Sequence, residues 1–195
     1  VAADALSNLA SAGVIGGGAA GLAAARQGNA LGAHTVLISA GPLGGDCTFT
    51  GCIPSKALIG AAAERRSFDE TRRWIHEVVA RIAATEDEAT LMAEGITVHR
   101  GRARLIGGGR VDLDGVTMRA QRIVIATGSA PVIPPIPGID TVRTLTNENV
   151  FDLAARPSSL AVIGGGPIGC ELAQAFARLG TAVTIIEAVD RLLTG

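Results

Sequence analysis

The chain has 195 residues, 17 basic and 18 acidic, for a formal net charge of −1; 48% are hydrophobic and 18% charged. Such a chain buries a sizeable core and is not disordered, and its near-neutral balance leaves no cationic footprint for nucleic acid or an anionic membrane. Three cysteines are too few for a disulfide scaffold. No apolar run reaches the roughly 18 residues of a membrane span, and residues 1–10 carry no basic segment of a secretion signal. The expectation is a soluble, cytoplasmic α/β protein of one medium domain, or one domain and part of another. With 26 glycines and only 3% aromatic residues, its core is expected to be Ala, Val, Ile and Leu, which suits helices packed closely on a sheet.

The first element is a strand entering a glycine turn. Residues 8–13 make a poor strand, but Val14-Ile15 leads into Gly16-Gly17-Gly18-Ala19-Ala20-Gly21, a G-x-G-x-x-G. In that motif the first glycine makes the turn, the second lets a pyrophosphate approach the backbone, and the third packs helix on strand. The phosphate sits on unpaired N–H groups at the positive helix end. An Ala-rich helix then runs to Leu31-Gly32, followed by the β-rich Thr35-Val36-Leu37-Ile38. About 20 residues on, a carboxylate normally takes the ribose hydroxyls; here Ser39 stands at that place.

Next comes Gly44-Gly45-Asp46-Cys47-Thr48-Phe49-Thr50-Gly51-Cys52-Ile53-Pro54-Ser55-Lys56. C-x4-C is not a zinc spacing, no second Cys/His pair stands nearby, and no metal site is expected. In a regular helix an i, i+5 pair holds its Cα atoms about 8–9 Å apart, beyond the roughly 7 Å limit of a disulfide. If the two cysteines bridge, the backbone must leave the helix between them, which Gly51 permits; Pro54 fits a first helical turn. The alternative is two unpaired core cysteines. A cysteine at a helix N-terminus is biased towards the reactive thiolate. Lys56 is the only lysine among 17 basic residues, which suggests a place where a compact ammonium fits and a guanidinium does not.

Residues 68–94 carry Trp74, Val78, Ile82 and Leu91 at helical spacing and predict a long amphipathic helix or a helix pair. Residues 96–106, 110–113, 116–119 and 122–126 alternate like strands, with turns at Gly107-Gly108-Gly109 and Asp114-Gly115; this meander is expected beside the parallel sheet. Residues 131–137 read as an extended connector, 147–153 as a short helix, and 150–158 as a domain boundary.

The last element repeats the first. Val162-Ile163-Gly164-Gly165-Gly166-Pro167-Ile168-Gly169 is again strand, turn and helix. Laying residues 12–39 over 160–187 gives ten identities in 28 positions. This copy has the carboxylate: Glu187 lies 23 residues after Gly164. One G-x-G-x-x-G is weak, since the glycines can merely pack helix on sheet; two in the same context predict two dinucleotide sites. Cys170 is expected to pack as a small apolar residue, and His34, His76 and His99 to be surface or satisfied histidines.

G-G-D-C-x4-G-C-I-P-S-K resembles the redox-disulfide signature of the class I flavoprotein disulfide reductases, the pyridine nucleotide-disulfide oxidoreductases. Ile125-Ala126-Thr127-Gly128-Ser129, followed by Pro134-Pro135-Ile136-Pro137-Gly138, is similar to the family's second flavin motif. Within the family, Gly44-Gly45-Asp46-Cys47 and the segment Gly166-Pro167-Ile168-Gly169-Cys170-Glu171 most resemble mercuric-reductase-type members.

The resemblance implies an α/β fold: a Rossmann-like FAD-binding domain over 1–154, parallel sheet plus meander, and the start of an NAD(P)-binding domain over 155–195. It implies FAD on Gly16, Gly18, Gly21, Ser39, Gly45, Asp46, Ala103, Thr127, Gly128 and Ser129. The nicotinamide nucleotide falls on Gly164, Gly166, Gly169 and Glu187, with NADH favoured because a carboxylate repels a 2′-phosphate. Cys47 and Cys52 form the redox disulfide, Cys52 facing the flavin and Cys47 the substrate. Lys56, near the flavin, pairs with Glu171. The resemblance implies Hg(II) as substrate, with lipoamide or another small disulfide as the alternative. A different class of reading is a non-catalytic nucleotide-binding or redox-sensing module. The family's dimerisation domain, with its catalytic His-Glu pair, is expected beyond Gly195, in a homodimer.

Overall fold

The computed structural model describes residues 10–193. Their contacts divide the chain into two compact units, Val1–Thr48 with Arg81–Ala130, and Phe49–Ala80 with Pro131–Gly195. A helical segment that begins at Phe49, between the two cysteines, clusters with the C-terminal part.

In the first unit β1 (Ala10–Ile15), α1 (Ala19–Ala30) and β2 (Thr35–Ser39) form a parallel β-α-β. The weak strand expected at 8–13 does form from Ala10 onward, where Ala10 and Val14 are fully buried; residues 8 and 9 lie outside the described residues. Helix α2 (Gly45–Phe49) follows. The helix expected within 68–94 is a pair, α4 (Phe68–Ala83) and α5 (Glu88–Ala93), the second capped by Asp87, whose side chain accepts from the Thr90 N–H.

The strand expected at 96–106 is two strands. β3 (Thr97–Arg100) pairs parallel with β2, whereas β4 (Ala103–Gly107) pairs antiparallel with β5 (Arg110–Leu113). Gly101 makes the break with φ 149°, where a side chain would run into Leu113 and Asp114. Conversely, 116–119 and 122–126 are one strand, β6 (Val116–Ile125), whose first part pairs antiparallel with β5 and the rest parallel with β1. The sheet order is β3-β2-β1-β6-β5-β4. Because only Gly101 and Arg102 separate the two terminal strands, the sheet must curl until its ends approach.

The two faces of the parallel strands confirm the curl. Ile15, Val36 and Ile38 pack against Val111, Leu113 and Met118 of the meander. The alternate residues Val14 and Leu37 pack against Leu22 and Ala25 of α1 and Leu91 of α5, as the two-residue period of a strand requires. The meander therefore continues the sheet through β6 and folds over one of its faces.

In the second unit α3 (Cys52–Ala63) packs with α4 and α6 (Pro167–Arg178) around Leu58, Ile75, Phe151 and Phe176. β7 (Ser159–Ile163) and β8 (Ala182–Ile186) pair in parallel with α6 between them in the chain. Only Val150–Asp152 of the helix expected at 147–153 is helical, as a 3-10 turn.

Candidate functional site

The first glycine turn follows from local sterics. Gly16 has φ 109°, and a Cβ there would collide with the Ala126 carbonyl, beside which the chain passes as Ala126 N–H donates to Ile15 O. A Cβ on Gly21 would collide with Gly16 O, so α1 can meet β1 only through a glycine. Gly18 is the N-cap and has no side-chain cap, leaving the first N–H groups of α1 available to an anion. The backbone of Gly44-Gly45 lies against it: Gly44 N–H donates to Gly17 O at 2.8 Å, and a Cβ on Gly45 would stand 2.7 Å from Gly18 Cα. Three glycines and then two thus form a wall without side chains.

Asp46, exposed on α2, approaches Gly128, where an added Cβ would stand 3.9 Å from Asp46 Oδ2. The structure thereby brings Gly16, Gly18, Gly21, Gly45, Asp46, Thr127 and Gly128 together. Ala103 is half-buried at the start of β4, and Ser129 is exposed in the following loop. Ser39 is 4% exposed and its hydroxyl donates to Gly41 O at 2.9 Å, so its proton is engaged within the chain.

Cys47 is half-buried on α2, in the first unit, and Cys52 is exposed at the first position of α3, in the second. Helix is interrupted at Thr50-Gly51, Gly51 having φ −129° and ψ −116°; the departure that a bridge needs is present. Pro54 occupies the first turn of α3.

Within the second unit Lys56 Nζ donates to both Glu171 oxygens, at 2.8 and 2.7 Å, linking α3 to α6. The pair is largely exposed, worth at most about 1 kcal/mol to stability. The second glycine turn repeats the first in geometry. Gly164 has φ 104°, Gly166 is an N-cap without side-chain cap, and a Cβ on Gly169 would collide with Gly164 O. A Cβ on Gly166 would meet nothing within 4 Å. Just beyond β8, Glu187 accepts from the N–H groups of Gly165 and Ala188, each at 2.6 Å, and of Val189 at 3.3 Å. These donors hold its carboxyl below the usual range, Gly165 most strongly.

Two smaller expectations are corrected. Cys170 is half-buried but not merely apolar, its thiol donating to Gly165 O at 3.2 Å. His34 and His76 are exposed, but His99 is half-buried on β3 with a buried Nε2 that has no partner among the described residues. Among those residues no group of three His, Cys, Asp or Glu is placed to hold a metal, and no helix is long and apolar enough to cross a membrane. Sequence reasoning passed over Glu86, whose carboxylate reaches α2 from a segment 38 residues away; no spacing rule marks such a contact.

The family model described as pyridine nucleotide-disulphide oxidoreductase matches residues 11–195. The chain is 33% identical to a glutathione reductase of Burkholderia cepacia, over 93% of this chain and 44% of that protein. It is 33% identical to a mercuric reductase of Bacillus cereus, over 92% and 31%, and 34% identical to a dihydrolipoyl dehydrogenase of Bacillus subtilis, over 92% and 44%. It thus spans less than half the length of these relatives. Among solved structures, the HOCl-induced flavoprotein disulfide reductase of Escherichia coli superposes with a TM-score of 0.85 at 33% identity, over 93% of this chain and 43% of that one.

Proposed function

Because the chain belongs to the pyridine nucleotide-disulphide oxidoreductase family, we propose that it is the N-terminal part of an oxidoreductase that passes two electrons from NAD(P)H to a Cys47–Cys52 disulfide and on to a substrate. One observation carries this reading: the glycine backbone that walls the first turn, Gly44-Gly45, is two residues from Cys47 in the chain and in contact with Gly17 and Gly18. One short segment therefore builds the nucleotide cradle and presents a thiol.

The residues present fit FAD at the first turn. A Cβ at Gly18 would stand in open space, its nearest neighbour Gly45 Cα at 3.9 Å, and the uncapped N–H groups of α1 suit a pyrophosphate. FAD, when bound, supplies a two-electron carrier between nicotinamide and disulfide. Gly16, Gly18, Gly45 and Asp46 would hold its diphosphate side, the Ala103 backbone its adenine, and Thr127, Gly128 and Ser129 the passing chain. Gly164, Gly166 and Gly169 would hold the nicotinamide nucleotide. Glu187 would accept from its ribose hydroxyls, favouring NADH. Lys56, oriented by Glu171, would offer a positive charge to the flavin. Residues 1–154 and 155–195 are the corresponding FAD and NAD(P) regions.

Reduction of the disulfide takes two electrons and two protons. Cys47 then attacks a substrate sulfur, releasing one thiol, and Cys52 resolves the mixed disulfide, or the two soft thiolates deliver Hg(II) for reduction to Hg(0) by two further electrons from NAD(P)H. Hg(II) is the substrate proposed, on the form of the Gly44-Gly45-Asp46-Cys47 segment. Lipoamide is the second reading, supported by the 34% match to a dihydrolipoyl dehydrogenase. The assembly proposed is a homodimer.

Reduction of the full-length protein by NADH is expected to give the long-wavelength absorption of a thiolate against a flavin. Cys52→Ser should abolish that band with FAD still bound. An unchanged band in Cys52→Ser removes Cys52 from its role, and a full-length protein that retains no flavin removes the reading itself.

A further inference from the structure

Helix α2 has five residues, too few to be stable alone, and it opens on the second glycine of the Gly44-Gly45 pair. Something outside it must hold Cys47 in one direction. The next residue, Thr48, is 2% exposed, and its hydroxyl donates to Glu86 Oε2 at 2.7 Å. Glu86 is half-buried in the turn after α4, where its N–H donates to Ala83 O at 3.1 Å. Gly44 makes room for this bond: a Cβ there would stand 2.5 Å from Glu86 Oε2 and 2.7 Å from Thr48 Oγ1.

The connecting segment and the far end of α5 also grip α1. Arg26 donates to Thr85 O at 2.9 Å and to both Glu94 oxygens at 2.8 and 3.0 Å, and Asn29 donates to Glu94 O at 2.6 Å. One segment thus ties the helix of the first glycine turn to the helix that bears Cys47, all within the first unit.

We infer that Glu86 is a positioning residue for Cys47: through the Thr48 hydroxyl it fixes α2 and so limits access to the thiol. The consequence for turnover rests on the function proposed above; the positional claim does not, and it can be read on the thiol alone.

The test uses full-length reduced protein carrying Cys52→Ser. Trypsin then releases Cys47 as the sole cysteine of residues 27–56, and mass spectrometry follows its alkylation by iodoacetamide. Glu86→Ala and Thr48→Val are each expected to raise the rate about five- to tenfold, the weight of one hydrogen bond. Combining them should add nothing further, because both remove one interaction. Thr48→Ser, which keeps the hydroxyl, and Glu86→Gln, which keeps an acceptor oxygen, should stay within about twofold of the parent. The inference is overturned if Glu86→Ala and Thr48→Val leave the rate unchanged, if their effects multiply, or if Glu86→Gln behaves like Glu86→Ala, which would make charge rather than position the cause. Should Glu86→Ala fail to fold, Thr48→Val against Thr48→Ser decides alone, since valine matches the buried threonine in shape. Because alkylation needs neither nucleotide nor turnover, its outcome is separate from that of the flavin band.

Discussion

Glu187 and Ser39 occupy equivalent places after the two glycine turns and behave differently. Glu187 keeps its charge because the Gly165, Ala188 and Val189 N–H groups stabilise the anion. Its folded value lies below the ordinary 4.5, so its contribution to the turn is fully present above that pH and is lost only as pH falls through the lowered value. Glu187→Arg is expected to raise the ratio of kcat/KM for NADPH over NADH by roughly tenfold or more; an unaltered ratio in full-length protein would refute the ribose assignment. Ser39 was legible as a departure from the acidic pattern. Its bond to Gly41 O was not, because a hydroxyl's partner depends on the following loop.

At the scale of elements, the motifs with strict backbone requirements were the most legible. Both glycine turns appear where the spacing puts them, and α1 and α6 each have 12 residues and the same uncapped glycine N-cap. The glycines nevertheless carry different loads. Gly21→Ala or Gly169→Ala places a methyl on the carbonyl of the turn's first glycine and is expected to cost about 2–3 kcal/mol in stability, read by denaturant unfolding. Gly18→Ala, whose nearest neighbour would stand 3.9 Å away at φ −77°, should fold normally yet lose FAD on gel filtration; retention of FAD would show that no ligand approaches there. The segment 96–106 was misread as one strand because alternation reports only which faces are covered. Gly101 reads as strand by period, but at its φ of 149° a side chain would run into Leu113 and Asp114.

Across the whole chain, β6 turns a parallel sheet into a curled one, and His99 records the result. On edge strand β3 its Nε2 is buried without a partner among the described residues. Burial holds its pKa below 6.5, with Glu88 pulling the other way. Stability tied to neutral His99 is complete above 6.5 and is lost as pH falls from there through the folded value. Melting temperature should therefore decline below pH 6.5 in the parent, and His99→Gln should remove that part of the slope; the same slope in both would place the titration elsewhere. The sequence alone determined the two glycine turns, the cysteine segment between them and the family, because each depends on residues close in the chain with narrow backbone tolerances. The pairing of Lys56 with Glu171, 115 positions apart, was legible only through the family resemblance. Tertiary structure alone decided the face that the meander covers and the hold of Glu86 on α2. Those contacts join residues distant in sequence, and nothing in local propensity or period encodes which distant surface a chain will meet.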